Sequence, residues 1–220
     1  MHGNLPALEA VLADAADCEL IVFGGDVAYG PMPAETLDRL QALGDRARFV
    51  RGNADRLLSA WCAARLTSAH REFVHSFEPT VSVDVDGLGP VLFCHGTPRS
   101  DEEIVTAITP PERVQPVLTG VAERVVVCGH VHVQYDRTIG ERRLVNAGSV
   151  GLPYEGRPGA YWLQLGPGIE HRRTEYDLDA AVAAMRATGY PDIEEFLRES
   201  LLEPVDPGEV TRYFEDLASA

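Results

Sequence analysis

Five short segments of this 220-residue chain combine glycine with a side chain that can bind a metal ion. They are His2-Gly3-Asn4, Gly25-Asp26, Gly52-Asn53, His95-Gly96 and Gly129-His130-Val131-His132. Imidazole nitrogens together with carboxylate and amide oxygens suit Mn²⁺, Fe²⁺ or Zn²⁺ better than Ca²⁺. Glycine lets the backbone approach such ions closely. If the segments meet in the fold, they predict metal-dependent chemistry.

Four of these segments follow short apolar runs that are typical of buried strands. The runs are Leu20–Phe23, Phe49–Val50, Val91–Cys94 and Val125–Cys128. In open α/β sheets the carboxyl ends of the strands form the ligand crevice, so distant segments can converge there. Taken alone, a histidine is more often structural, and a Gly-Asp pair is usually a turn. Their ordered repetition at strand ends favours a metal site.

The rest of the pattern predicts an α/β chain with one domain over residues 1–220. Asn4 and Pro6 suit the start of a first helix, and the alternating run from Val81 to Cys94 turns at Gly87-Leu88-Gly89 as a hairpin. Further helices are predicted over residues 34–43, 56–66, 110–118, 178–187 and 192–202, and further strands over 143–145, 160–165 and 170–176. Residues 177–220 are predicted to be an acidic helical extension that packs on the domain.

The chain has 34 acidic and 19 basic residues, for a net charge of -15. Twelve acidic residues but three arginines lie between Glu175 and Ala220. This charge disfavours nucleic acid duplexes and anionic membrane surfaces as partners. No apolar stretch approaches the ~18 residues that span a bilayer, and the N-terminus does not resemble a signal peptide. A cytoplasmic location with reduced cysteines is therefore predicted. The sequence predicts no oligomeric state.

The ordered segments resemble the calcineurin-like metallophosphoesterase superfamily, in particular its small bacterial and archaeal phosphodiesterase-type members. That family has the pattern D-x-H, G-D, G-N-H-[DE], H and G-H-x-H, and the match covers roughly residues 1 to 153. Asn146–Gly151 is similar to the N-P-G-S-V-G stretch of these members. The resemblance implies a four-layer αββα sandwich. It also implies hydrolysis of a phosphate ester, with a phosphodiester favoured, by hydroxide activated at two divalent ions such as Mn²⁺, Fe²⁺ or Zn²⁺.

The resemblance also implies a role for each matching residue. Asp26 would bridge the two ions, His2 and His132 would bind the first, and the second would be bound by Asn53, His95 and His130. Asp26, Asn53, His95 and Asp55 would be the catalytic residues. A small phosphorylated molecule would be the substrate.

Two departures from the family pattern change these expectations. The opening Asp of the family, with its central first strand, would fall before Met1. A missing central strand would leave unpaired backbone groups and an open hydrophobic slot, so the natural start of translation is expected to lie upstream. The usual general-acid His of the G-N-H motif is Ala54 here. Its absence favours leaving groups that need little protonation, or a replacement acid such as Asp55.

Several interpretations stay open at this stage. Tyr29 and Arg51 are candidates for contact with the substrate phosphate, or they pack and pair on the surface. Thr97 and Arg99 line the same expected rim, or they belong to a polar turn around Pro98. His70, His75 and His171 lie outside every motif and are predicted to be surface residues. The alternative functions are a catalytically impaired nucleotide-binding or regulatory domain, and a phosphomonoesterase or protein phosphatase.

Overall fold

A computed structural model describes residues 1–219 of the chain, which fold as an α/β protein. Helical segments alternate with strands through the first half of the chain and form most of the C-terminal part. The nine α-helices of the described residues are α1 Leu5–Asp14, α2 Pro33–Gln41, α3 Asn53–Arg56, α4 Ala60–Ala63, α5 Ser68–His75, α6 Pro111–Val117, α7 Leu178–Arg186, α8 Ile193–Leu197 and α9 Pro207–Ser219. None of these helices is long and apolar enough to cross a bilayer.

The strands form one five-stranded sheet and two separate pairs. The larger sheet has the order β3-β4-β5-β7-β6, the parallel pair is β1-β2, and the antiparallel pair is β8-β9. The strands are β1 Ile21–Phe23, β2 Ala47–Phe49, β3 Thr80–Val85, β4 Gly89–Cys94, β5 Val125–Cys128, β6 Tyr135–Ile139, β7 Arg142–Asn146, β8 Ala160–Leu165 and β9 Ile169–Thr174.

Three apolar clusters show the predicted αββα layering. Leu8 of α1 and Leu37 of α2 pack with Phe23 of β1 on the outer face of the strand pairs. Between the two β layers, valines of β4, β5 and β7 pack against residues of β1, β8 and β9. On the far face of the five-stranded sheet, Val114 and Leu118 of the α6 region cover Val126. The αββα fold class is therefore confirmed.

The second β layer is divided by an open slot. A cavity of about 750 Å³ lies between α1, β1, β8 and the five-stranded sheet, and Met1 and His2 line one end of it. Its walls include Val22, Leu163 and Val127.

Most predicted elements are present with small shifts of their ends. Asn4 caps α1, since its side-chain oxygen accepts a hydrogen bond from the Ala7 N–H at 3.1 Å. The predicted helix over residues 56–66 is wrong in detail, because two short helices, α3 and α4, occupy residues 53–63. The sequence predicted no separate element for α5, β6 or α9, although α9 lies within the helical extension predicted over residues 177–220.

The C-terminal extension packs on the domain through an apolar cluster and a polar anchor. Met185, Leu197 and Leu201 are fully buried and pack with Met32 and Leu152. On α9, the Glu215 carboxylate accepts hydrogen bonds from three groups that flank or begin α6. These are the Thr106 hydroxyl at 2.9 Å, the Thr109 hydroxyl at 2.5 Å and the Arg113 guanidinium at 2.6 Å.

Candidate functional site

The candidate metal ligands meet where β1, β2, β4 and β5 end. Each follows the end of its strand by no more than four residues, except the N-terminal histidine, which precedes α1. The side chains gathered there are His2, Asp26, Asn53, His95, His130 and His132. The structure thus brings all six of the predicted ligands to one place.

His2, Asp26 and His132 form the first of two groups. One potential ligand atom from each lies within 4.8 Å of the others, and all three residues are buried. All three also have left-handed backbone, with φ of 54°, 52° and 58°. Among described residues other than glycine, only Asp192 shares this conformation. Such strain costs roughly 1–3 kcal/mol per residue and is concentrated at functional sites.

Asn53, His95 and His130 form the second group. The Nε2 atom of His95 lies 3.1 Å from the Asn53 Oδ1 and 3.2 Å from the His130 Nδ1. The Nδ1 of His95 lies 2.6 Å from the Gly24 carbonyl oxygen. Because a carbonyl only accepts, Nδ1 carries the proton, which leaves the Nε2 lone pair of neutral His95 facing the group.

Asp26 lies between the two groups. Its Oδ2 is 3.5 Å from the His2 Nε2 and 3.3 Å from the His95 Nε2. Its Oδ1 accepts a hydrogen bond from the Ala54 backbone N–H at 2.9 Å. This bond fixes the carboxylate so that one oxygen faces both groups.

The electrostatics of the site favour deprotonated ligands. Burial, then the N-terminal amine, lowers the pKa of His2 to about 4, and burial, then the His95 charge, lowers the pKa of His130 to about 4. Burial, then the charge of His2, also lowers the pKa of His132. Burial opposes ionisation of Asp26, but hydrogen bonds from His2 and His95 outweigh it and depress its pKa. Three neutral imidazoles beside an ionised carboxylate suit a metal cation.

The pKa of the His95 imidazole shifts in the opposite direction. Burial lowers its pKa, but the hydrogen bond and the charge of Asp26 outweigh burial and raise it. A divalent cation would therefore have to displace a proton from His95.

Two glycines allow the loops to come this close. A β-carbon on Gly25, whose φ is 99°, would collide with the His95 ring and the Gly52 backbone. A β-carbon on Gly52 would collide with the Asp26 carboxylate. Both positions therefore require glycine for close approach of backbone to the site.

Asp55 links the loop that contains Asp26 to the loop that contains Gly52. Its buried carboxylate accepts N–H groups from Asp26 at 2.7 Å, Val27 at 2.8 Å, Ala28 at 3.1 Å and Gly52 at 3.1 Å. Burial, then the charge of Asp26, raises its pKa, while the N–H groups oppose that shift. A carboxylate committed to four backbone donors is poorly placed to protonate a leaving group. The geometry favours a positioning role over the replacement-acid role.

The predicted rim residues divide into two sets. Thr97 is buried, its hydroxyl donates to the Glu103 carboxylate at 2.7 Å, and Arg99 pairs with the same carboxylate. These contacts match the polar-turn interpretation. The hydrogen bond from Arg56 lowers the pKa of Asp101 against the opposing effect of burial, and the charge of Arg51 contributes least to this lowering. Tyr29 lies beside the first group, with its ring centroid 6.0 Å from that of His2.

Two further residues contribute to the site, and one histidine lies elsewhere than predicted. Asn146 donates through Nδ2 to the Gly129 carbonyl at 2.8 Å, which holds the loop of His130 and His132. Tyr154 packs on His132 with centroids 5.2 Å apart. His70 is not on the surface, because it is buried with its Nε2 2.8 Å from Asp38 Oδ1. No local pattern signalled the last two contacts.

The residues present fit divalent cations. The Nδ1 atoms of His2 and His132 are buried and have no hydrogen-bond partner among the described residues. An unpartnered buried polar atom costs about 1–3 kcal/mol. A donor set of strained, neutral imidazoles around a carboxylate is satisfied by a cation more readily than by the protein alone.

Comparison with known proteins agrees with the fold. A family model described as the calcineurin-like phosphoesterase superfamily domain matches residues 1–165. A metallophosphoesterase from Sphaerobacter thermophilus superposes with a TM-score of 0.75 and 25% identity, covering 90% of this chain and 94% of that chain. A hypothetical protein from Pyrococcus horikoshii shares the fold with a TM-score of 0.77 and 17% identity, covering 92% and 96%.

A structure described as a novel archaeal phosphodiesterase has the same fold at a TM-score of 0.50 and 16% identity, covering 78% of this chain and 94% of that chain. A search of curated proteins found no significant match. The sequence resemblance is confirmed by the family match over residues 1–165. With its αββα layers and the family's motif residues gathered at the strand ends, this chain belongs to the calcineurin-like phosphoesterase superfamily and is a phosphoester hydrolase.

Proposed function

We propose that this enzyme hydrolyses a small phosphodiester with the help of two divalent cations. The first would be bound by His2, Asp26 and His132. The second would be bound by Asp26, Asn53, His95 and His130. The observation that carries the proposal is the position of Asp26, whose Oδ2 lies 3.5 Å from the His2 Nε2 and 3.3 Å from the His95 Nε2. Cations bound there would supply charge neutralisation for the phosphate and lower the pKa of water.

The chain's own residues would prepare the reaction before substrate arrives. The Ala54 N–H orients Asp26, the Gly24 carbonyl sets the tautomer of His95, and Asp55 holds the loops of Asp26 and Gly52 together. Preorganised groups of this kind need no rearrangement as charge develops in the transition state. We propose manganese, iron or zinc as the cations, on the basis of mixed imidazole and oxygen ligands.

Ala54 supports the choice of a substrate with a good leaving group. Its backbone lies against Asp26, and its methyl group offers no proton where the family carries a general acid. A phosphodiester with an acidic leaving alcohol needs least help from such an acid. A phosphomonoesterase remains the second candidate, and bis(p-nitrophenyl) phosphate tested beside p-nitrophenyl phosphate separates the two.

The test is Asp26→Asn, with Asp45→Asn as a matched exposed control. We expect wild type and the control to bind two Mn²⁺ per chain by calorimetry and elemental analysis, and to hydrolyse bis(p-nitrophenyl) phosphate. Asp26→Asn should lose both properties, with turnover reduced at least about a thousandfold. An Asp26→Asn protein that keeps two cations and full turnover would contradict the proposal. Wild type that binds cations without turnover would instead favour the impaired regulatory domain.

A further inference from the structure

A row of aromatic rings runs along the first ligand group. The rings of His2 and His132 have centroids 4.5 Å apart, and each is flanked by a tyrosine. Tyr29 lies 6.0 Å from His2 at an interplanar angle of 83°, and Tyr154 lies 5.2 Å from His132 at 31°. The Tyr154 N–H also donates to the His132 carbonyl at 3.2 Å, which ties the two residues through the backbone. Both tyrosines are half-buried, so part of each ring faces solvent beside the site.

The C-terminal extension supports both tyrosines from behind. Tyr190 contacts Tyr29 with centroids 6.4 Å apart and contacts Trp61 at 5.0 Å. Phe214 of α9 lies 6.4 Å from Tyr154. Because the extension is anchored by fully buried apolar side chains and by Glu215, these contacts give the tyrosines a fixed place. Edge-to-face and tilted rings at these separations stabilise one another.

The chemistry of these rings suits an uncharged aromatic group. A phenol ring offers a flat, uncharged surface on which another aromatic ring can stack. The neighbouring extension holds twelve acidic residues against three arginines, which disfavours a polyanion. A flat ring beside a cation site is therefore best placed to stack on a base carried by a single phosphate.

We propose that Tyr29 and Tyr154 form an aromatic recess that binds the nucleobase of a mononucleotide-sized phosphodiester. The proposal rests on the proposed function and adds the substrate class to it. Tyr190 and Phe214 are positioning residues for the two rings. Stacking between a base and an aromatic side chain tolerates every base, so the recess selects for the presence of a base more than for its identity.

The first experiment measures binding and does not depend on turnover. Adenosine 5′-monophosphate and ribose 5-phosphate are titrated into Mn²⁺-loaded protein by calorimetry. Wild type should bind the nucleotide at least about tenfold more tightly than the sugar phosphate. Tyr29→Leu and Tyr154→Leu should reduce that ratio to about threefold or less, while Tyr29→Phe, Tyr154→Phe and the exposed control Tyr213→Leu should keep it.

Equal affinities of the wild type for the two ligands would overturn the proposal. Leucine variants that weaken the binding of both ligands by the same factor would also overturn it. That second result would mean that the tyrosines only support His2 and His132. If thermal melting shows that a leucine variant does not fold, the ratio of the two affinities in the wild type and in the phenylalanine variants still tests the proposal.

A second experiment separates this proposal from the proposed function. Thymidine 5′-p-nitrophenyl phosphate and the 5′-p-nitrophenyl phosphate of 1,2-dideoxyribose share a leaving group and a sugar and differ in the base. A higher kcat/KM for the thymidine ester, lost in Tyr154→Leu, supports the recess. Equal values for both esters would leave the phosphodiesterase in place and refute the recess. Selective nucleotide binding without turnover of either ester would refute the phosphodiesterase and leave the recess in place.

Discussion

The two ligand groups around Asp26 are built in different ways. In the group of Asn53, His95 and His130, the His95 Nε2 lies 3.1 Å from the Asn53 Oδ1 and 3.2 Å from the His130 Nδ1, so the potential ligand atoms already converge. In the group of His2 and His132, two buried Nδ1 atoms have no partner among the described residues, and both backbones are left-handed. One group has its polar atoms in contact around His95, whereas the other is held in place by the surrounding fold. The difference predicts that the two halves of the site respond differently to substitution.

The largest effect is expected from removing one histidine of each group. His132→Ala should abolish the first cation and His130→Ala the second, so each variant should bind one Mn²⁺ instead of two and lose turnover by about a thousandfold. Elemental analysis gives the stoichiometry, and the loss of Mn–Mn coupling in electron paramagnetic resonance reports the missing partner. If both variants lose both cations, the groups form a single cooperative unit and the comparison fails.

Asp55→Asn should disturb both groups through their loops. An amide NH₂ in place of one carboxylate oxygen faces two backbone N–H donors, either those of Val27 and Ala28 or those of Asp26 and Gly52. We expect a loss of about 3 kcal/mol in the free energy of unfolding, together with weaker binding of both cations. Urea denaturation with and without Mn²⁺ measures this.

Asp136→Asn is the control for that variant, because Asp136 only pairs with Arg143 at the surface, where a change of at most about 1 kcal/mol is expected. If Asp55→Asn keeps the stability and the cation affinity of the control, the Asp55 carboxylate has no positioning role.

Ala54→His should add a general acid beside the second group without altering the metal ligands of that group. The new imidazole would stand next to Asn53, while the Ala54 N–H that orients Asp26 is retained by the backbone. A general acid contributes typically 10²–10⁴-fold when well placed. We expect about a tenfold gain for a methyl ester leaving group and little change for p-nitrophenol. Equal gains for both leaving groups, measured by kcat/KM, would contradict an acid role.

The smallest effect is expected when one histidine of each group is replaced by glycine or by alanine. At position 132, where φ is 58°, His132→Gly should be more stable than His132→Ala by about 1 kcal/mol in metal-free protein. At position 130 the order should reverse, because glycine loses more conformational freedom on folding. Thermal unfolding in chelator measures both pairs. If glycine and alanine variants have the same order of stability at both positions, backbone strain does not distinguish the two groups.

The sequence predicted the parts of this site that depend on short, regular patterns. The apolar runs Val91–Cys94 and Val125–Cys128 are buried on both faces, and the ligands after them follow from that pattern. Strand β6 was missed because its central residues, Asp136 to Thr138, are polar or charged and lie at the edge of the sheet. Helix α9 was missed because it is stabilised by contacts such as Arg113 with Glu215, 102 residues apart.

The roles of individual residues were harder to predict than their positions. Asp55 was placed in the site correctly, but its four backbone donors come from two loops, so no local pattern shows that the carboxylate is already satisfied. Tyr154 is 22 positions from His132 and Tyr190 is 161 positions from Tyr29, and only the folded chain brings these rings together.

The position of β5 in the middle of its sheet sets an order of amide protection. The innermost strands of a domain exchange hydrogen for deuterium last, since neighbouring strands and apolar layers keep solvent away. All four residues of β5 are buried, and the strand is paired on both sides by β4 and β7. The edge strand β6 has Asp136 and Thr138 exposed and is paired only with β7. Deuterium should therefore reach the amides of β6 earlier than those of β5.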